Sequence, residues 1–198
     1  MNITIDTTNK LAKSYYKRYN DSRYVKKHRK IFEKLLKGKN KKILDVGCGH
    51  GRDIREFTKD GYQTMGIDLS DKIIEIAKKQ NPGILILKQD MRKIDYDKAF
   101  DGIWSCGSFY HLKKREALLT LIKFNKALKQ NGILFLAIKE GKGEKFISRD
   151  IFKGLKKFYA FYTESEIIWL LLLSGFTVIK LQIEHKSQNW INIWAKKK

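Results

Sequence analysis

Three acidic residues and one glycine-rich turn are the parts of this 198-residue sequence whose types and spacing point to chemistry. The turn is Asp45-Val46-Gly47-Cys48-Gly49-His50-Gly51, preceded by the apolar pair Ile43-Leu44 and followed by Arg52-Asp53. An apolar run that ends in an acid, then three glycines at alternate positions, reads as a buried strand, a tight turn and a helix N-terminus. A turn without Cβ atoms lets a ligand reach main-chain groups. The spacing is G-x-G-x-G, whereas a dinucleotide turn needs G-x-G-x-x-G and sets a diphosphate on the helix N-terminus. Asp45, two residues ahead of the first glycine, would repel a diphosphate and suits a ligand carrying positive charge.

Asp68, in Gly66-Ile67-Asp68-Leu69-Ser70, ends a second strand-like run, where a carboxylate can take two hydrogen bonds from ribose hydroxyls. Asp90, in Gln89-Asp90-Met91, follows a third run, and its carboxylate can accept from an exocyclic amine. A fourth run closes in Ser105-Cys106-Gly107-Ser108 and a fifth in Lys139-Glu140. Ligands of open parallel sheets bind beyond the C-terminal strand ends. Three carboxylates on three consecutive ends therefore suit an ammonium, a ribose diol and an adenine amine in turn. His111, in Ser108-Phe109-Tyr110-His111-Leu112, is the best-placed base; the plainer reading is a histidine that packs on or caps the next helix. Lys139 and Glu140 face the mouth of the same pocket. Phe158, Tyr159, Phe161 and Tyr162 either shape its wall or fill core.

The elements that must position these residues alternate strand and helix. Leu11, Tyr15 and Tyr19 lie on one face of a helix expected over 8–19, and Val25, His28, Phe32 and Leu36 on one face of a second over 24–37. Strands are expected at 42–46, 62–68, 84–88, 101–106 and 133–139. Helices fall between them at 53–60, 70–80 and 113–130, the last closed by Asn131-Gly132. A basic connection crosses 142–162. Thr163 with Glu166 forms a capping box that opens an apolar helix ending at Ser174 and Gly175. Two last alternating runs are joined by the short loop 185–188, too short for a crossover, and must pair antiparallel. The expected fold is α/β: a Rossmann-like, doubly wound sheet of seven strands, mostly parallel with an antiparallel C-terminal hairpin, plus N-terminal helices. We expect a single domain over 1–198, with 1–40 as a helical lid and 41–198 as the core.

Composition narrows the class. An apolar content of 42% with one proline belongs to a globular chain. No apolar run is long enough to span a bilayer and none near the N-terminus resembles a signal peptide, which predicts a cytoplasmic protein without membrane partners. Cys48 and Cys106 are expected as reduced thiols, and no Cys/His cluster has metal-ligand spacing. Net charge is +21, but the first 42 residues hold 14 basic and 3 acidic side chains while 43–140 are nearly balanced. The excess has two readings: an anionic partner such as RNA or a phosphorylated metabolite, or plain lysine-rich codon usage. Lys outnumbers Arg 34 to 8, and nucleic-acid readers favour Arg for its planar fork.

With these residues in view, the chain resembles a class I S-adenosylmethionine-dependent methyltransferase over essentially its full length. The resemblance is carried by 45–51, by Gly66-Ile67-Asp68-Leu69-Ser70, by Gln89-Asp90-Met91, by Phe100-Asp101-Gly102-Ile103-Trp104-Ser105, and by Leu128-Lys129-Gln130-Asn131-Gly132-Ile133. The last departs from Pro-Gly-Gly, with Asn131 for proline and Ile133 for the second glycine. The resemblance implies that Asp45 and the turn of Gly47, Cys48, Gly49 and Gly51 hold the methionine part of S-adenosylmethionine, and that S-adenosylhomocysteine is the product. It also implies Asp68 and Leu69 at the ribose, Asp90 and Met91 at the adenine, and Ser105 and Cys106 by the methionine amine. Tyr15, closing Asn9-Lys10-Leu11-Ala12-Lys13-Ser14-Tyr15, would lie over the cofactor. Three functions stay open: methyl transfer to a small, anionic or neutral acceptor, methyl transfer to RNA gripped by the basic flanks, and a non-catalytic cofactor-binding subunit. No Asn/Asp-Pro-Pro-Tyr/Phe follows the fourth strand, which argues against exocyclic amines of nucleobases. No Pro-Cys does either, which argues against cytosine C5.

Overall fold

The apolar runs become the strands of one sheet in a computed structural model that describes residues 3–148, 154–185 and 188–198. Two helices come first, α1 (Ile3–Tyr19) and α2 (Arg23–Leu36). Five parallel strands follow: β1 (Lys42–Val46), β2 (Gln63–Asp68), β3 (Leu85–Lys88), β4 (Phe100–Cys106) and β5 (Leu128–Lys139). Between them run α3 (Arg52–Lys59), α4 (Asp71–Gln80) and α5 (Lys114–Ala127). After a small hairpin of β6 (Glu144–Ser148) and β7 (Lys156–Ala160), the chain forms α6 (Glu164–Leu173), β8 (Phe176–Glu184) and β9 (Trp190–Lys197). Strand order is β3-β2-β1-β4-β5-β9-β8, with β9 antiparallel to both β5 and β8. The expected mixed sheet with its terminal hairpin is the observed one. Order reverses between β1 and β4, so a crevice must open above their C-terminal ends.

Helix and sheet pack through two apolar layers. One joins α5 and α6 to the sheet through Phe109, Phe124, Leu134 and Leu171. The other joins α2 and α3 through Phe32, Phe57, Trp104, Phe135 and Trp194, whose rings stack, tilt or meet edge-on at 4.0–5.7 Å. Gly102 leaves room for this contact, because a Cβ there would lie 2.6 Å from Phe32.

Three expectations change. The fifth helix ends at Ala127, not at 130, because Leu128 is drawn fully buried into the sheet opposite Phe100. Asn131, at φ +63°, and Gly132 then form an irregularity inside β5 instead of a helix cap. The basic connection holds the β6–β7 hairpin; its residues 149–153, like 186–187 of the last loop, lie outside the described residues. Only half of the capping box forms. Thr163 Oγ accepts from Glu166 N at 3.2 Å, but the Glu166 carboxylate turns to Lys114 Nζ at 2.7 Å. Elsewhere Ser70 caps α4 as read, accepting from Ile73 N. Both cysteines are free thiols.

Helix α1 straps the upper end of the molecule. Asn9 Oδ1 accepts from Ser70 Oγ and Lys72 N at the start of α4. Thr4 Oγ accepts from Phe158 N, and Thr7 Oγ donates to Lys156 O, both on β7. No helix among the described residues is long and apolar enough to cross a membrane.

Candidate active site

The turn after β1 is tied to the end of β2. Gly47 N and Cys48 N both donate to Ile67 O, and Gly49 N donates to Asp68 Oδ2 at 3.0 Å. Gly47, Gly49 and Gly51 all have positive φ, of 69°, 55° and 78°, a region that L side chains enter only with strain. A Cβ on Gly47 would lie 2.2 Å from Ser108 Cβ, whereas one on Gly49 would meet nothing within 4 Å. The turn is thus packed on one side and open on the other.

A cavity of about 940 Å³ lies over this turn. It gathers Tyr15, Asp45, Gly47, Cys48, Gly49, Asp68, Leu69, Asp90, Met91, Cys106 and His111 of the residues singled out by sequence. Two do not border it. Gly51 caps α3, where a Cβ would press within 2.3 Å of Asn81 Nδ2. Ser105 is fully buried and shares a hydrogen bond with Ser108 Oγ, which itself donates to Val46 O. Both therefore shape the walls from behind, and Ser105 cannot touch a ligand. Glu140 also faces away, accepting from Asn189 Nδ2 at 2.8 Å. Of the aromatic cluster, Phe158 and Tyr159 line the cavity, while Phe161 and Tyr162 are core.

Electrostatics separate the carboxylates. Asp45 is buried and its Oδ2 has no hydrogen-bond partner. Burial first, then the nearby Asp53 charge, hold its carboxyl well above the usual carboxylate range, and Arg52 only partly offsets them. A cationic group seated there would gain a charge-assisted bond and remove that penalty. Asp68 Oδ1 accepts from Leu69 N and Ser70 N at 2.7 and 2.9 Å. Burial outweighs these bonds and raises its pKa, yet Oδ2, which accepts only from Gly49 N, keeps lone-pair capacity for a hydroxyl donor. At Asp90, burial is outweighed by Arg92, which grips both carboxylate oxygens and lowers the pKa. Arg92 also reaches Glu116 at 2.7 Å, a pairing that the sequence did not reveal.

Burial raises the pKa of both thiols, which disfavours the nucleophilic thiolate. Burial, aided by Asp53, pushes the Cys106 pKa up to about 12, and Arg52 Nη2 lies 3.9 Å from its sulfur. His111 Nδ1 lies 2.6 Å from Phe158 O. A carbonyl cannot donate, so Nδ1 carries the proton and Nε2 holds the lone pair. Burial, then the Lys157 charge, hold this imidazole neutral, with a pKa of about 3. Lys157, buried beside Tyr15 with Nζ 4.5 Å from the ring centroid, is itself pulled down by burial to about 8. Arg52, Arg92, Lys157, Trp190 and Asn192 are among the further lining residues and were not foreseen. No metal-binding group of His, Cys, Asp or Glu occurs among the described residues.

Comparison with known proteins accords with this geometry. Residues 43–132, which carry the turn and all three carboxylates, match the family described as a methyltransferase domain. That stretch, a little under half of the chain, is thus similar to a methyltransferase domain. The putative methyltransferase YqeM of Bacillus subtilis is 34% identical over 103 residues, covering 49% of this chain and 42% of that relative. The chain thus spans about two-fifths of that relative's length. An uncharacterized methyltransferase of Alkaliphilus oremlandii is 25% identical over 172 residues, or 80% and 79% of the two chains. In fold, the chain is similar to 1,6-didemethyltoxoflavin-N1-methyltransferase of Burkholderia thailandensis, solved with 1,6-didemethyltoxoflavin and S-adenosylhomocysteine. The TM-score is 0.80 at 19% identity, over 99% of this chain and 88% of that one. The methyltransferase family uses S-adenosylmethionine. The orphaned Asp45 oxygen, the open face of Gly49 and the spare capacity of Asp68 fit the ammonium, main-chain-bound and ribose parts of that cofactor.

Proposed function

We propose that this chain is an S-adenosylmethionine-dependent methyltransferase acting on a small-molecule acceptor. Residues 1–198 work as one domain, with the helices of 1–40 as a lid over a Rossmann-like core. The bound cofactor supplies a methyl group already activated by its sulfonium. The chain's task is then alignment and exclusion of water. In this reading Asp45 and the turn of Gly47, Cys48 and Gly49 take the methionine end, with Cys106 beside it and Tyr15 above. Asp68 and Leu69 take the ribose, and Asp90 and Met91 the adenine end. Gly51 and Ser105 hold the turn and the β4 end in place. His111 stands at the acceptor end with its Nε2 lone pair available.

The observation that carries the small-molecule reading is burial at the acceptor end. Lys139, Asn192 and Tyr159 are each less than a tenth exposed, and all border the one cavity that holds the glycine turn. A polymer would have to thread a base past them, whereas the volume suits a cofactor with a compact acceptor. The test is a labelled-methyl transfer screen against total RNA and a metabolite extract side by side. Label is expected in the small-molecule fraction. Label confined to RNA would sink this reading, and no transfer by the purified chain would favour a cofactor-binding subunit.

A further inference from the structure

One face of the sheet changes character along its strands. Where α2 covers it, β1, β4, β5 and β9 present Ile43, Trp104, Phe135 and Trp194. Side chains repeat on a face every second residue, so the next positions toward the cavity are Asp45, Cys106, Ala137 and Asn192. Ala137 pairs with Asn192, and one step further Lys139 pairs with Trp190.

Asn192 is out of place by the logic of packing. It interrupts the apolar run of Ile191, Ile193, Trp194 and Ala195, is 3% exposed, and its Nδ2 has no hydrogen-bond partner. An unmet buried N–H costs more than a made bond gains, and natural sequences break packing rules chiefly at functional sites. Beside it Lys139 is buried with its Nζ 3.3 Å from the centroid of the Trp190 ring. Its charge is felt within the cavity, because Lys139 and Lys157 both help to depress His111.

We propose that the acceptor carries an oxyanion, a carboxylate or an ionised hydroxyl, held by the Lys139 ammonium and the Asn192 amide N–H at the paired ends of β5 and β9. This deepens the methyltransferase reading and rests on it. Asn192 is then a specificity residue whose cost to the empty protein is offset only by a ligand oxygen.

Calorimetry on the full chain saturated with S-adenosylhomocysteine tests it. Benzoate and 4-hydroxybenzoate serve as anionic probes, with benzamide and 4-hydroxybenzamide as neutral counterparts of the same shape. The anions should bind at least about tenfold more tightly than the amides, and Lys139→Met should erase that preference. Asn192→Leu should weaken the anions about fivefold or more while raising the Tm of the ligand-free protein, since the unmet amide is gone. Equal binding of anions and amides, or binding of no probe, overturns the proposal. So does an Asn192→Leu protein of lower Tm, which would make the amide a structural residue. A chain that fails to bind S-adenosylhomocysteine at the outset defeats the methyltransferase reading instead.

Discussion

Asp68 does two jobs at the scale of a single residue. In the proposed reading it takes the ribose, and it also ties Gly49, Leu69 and Ser70 by their N–H groups. Asp68→Ala should therefore weaken S-adenosylhomocysteine binding by roughly 1–3 kcal/mol in calorimetry and also lower Tm. Unchanged affinity would remove the ribose assignment. His111→Ala should leave that affinity intact while lowering turnover. The loss should stay under the ~100-fold low end typical of a general base, because a group with a pKa of about 3 takes up protons weakly. Two histidines also contribute to the acid sensitivity of the fold. Burial pulls His50 down to about 4, with Arg52 adding to it, and His111 to about 3, both from 6.5. The unfolded chain binds these protons near 6.5 and the folded chain only below about 4. Stability present above 6.5 is therefore lost as pH falls through that window. Urea unfolding at pH 7 and pH 4.5 should show it, and replacing both residues by Asn should flatten the difference.

At the scale of elements, the strap from α1 to β7 makes a local prediction. Thr4→Val removes the acceptor for Phe158 N, so exchange at that amide should quicken by roughly tenfold while exchange in β5 holds. An unaltered rate would mean that the hairpin stands without α1. This part of the molecule was also the least legible in the sequence. In β1, apolar residues, an acid and glycines follow in an order that only one local structure accommodates, and the strand matches the expectation residue for residue. In β7 one of the inward residues is Lys157, so Lys156-Lys157-Phe158 shows no alternation to read. The end of α5 failed for a related reason: Leu128 suits helix and strand alike, and only the buried position opposite Phe100 decides. Of the site, the acids and glycines were legible because each sits at a strand end. Arg92 and Asn192 were not, because an ion pair and an unmet amide depend on neighbours distant in the chain. Asn192 did leave one trace, a lone amide in the alternating run Trp190-Ile191-Asn192-Ile193-Trp194.

The whole molecule is strongly basic, yet its cavity is built around acids. The net charge of +21 lies mainly in the flanks, whereas Asp45, Asp53 and Asp68 converge at the cavity, where Asp45 feels the charges of both others. The unpartnered Asp45 oxygen has a consequence for the proton count of binding. A carboxyl whose pKa is raised in the empty protein keeps its proton to higher pH than a free one, and a cation seated against it favours the ionised form. Loading the protein should therefore release protons into solution. Binding heats measured in phosphate and in Tris should differ by the gap between the two buffers' ionisation enthalpies, scaled by the fraction released. In Asp45→Asn that difference should shrink, and equal heats in the native protein would mean that Asp45 is already ionised before the ligand arrives.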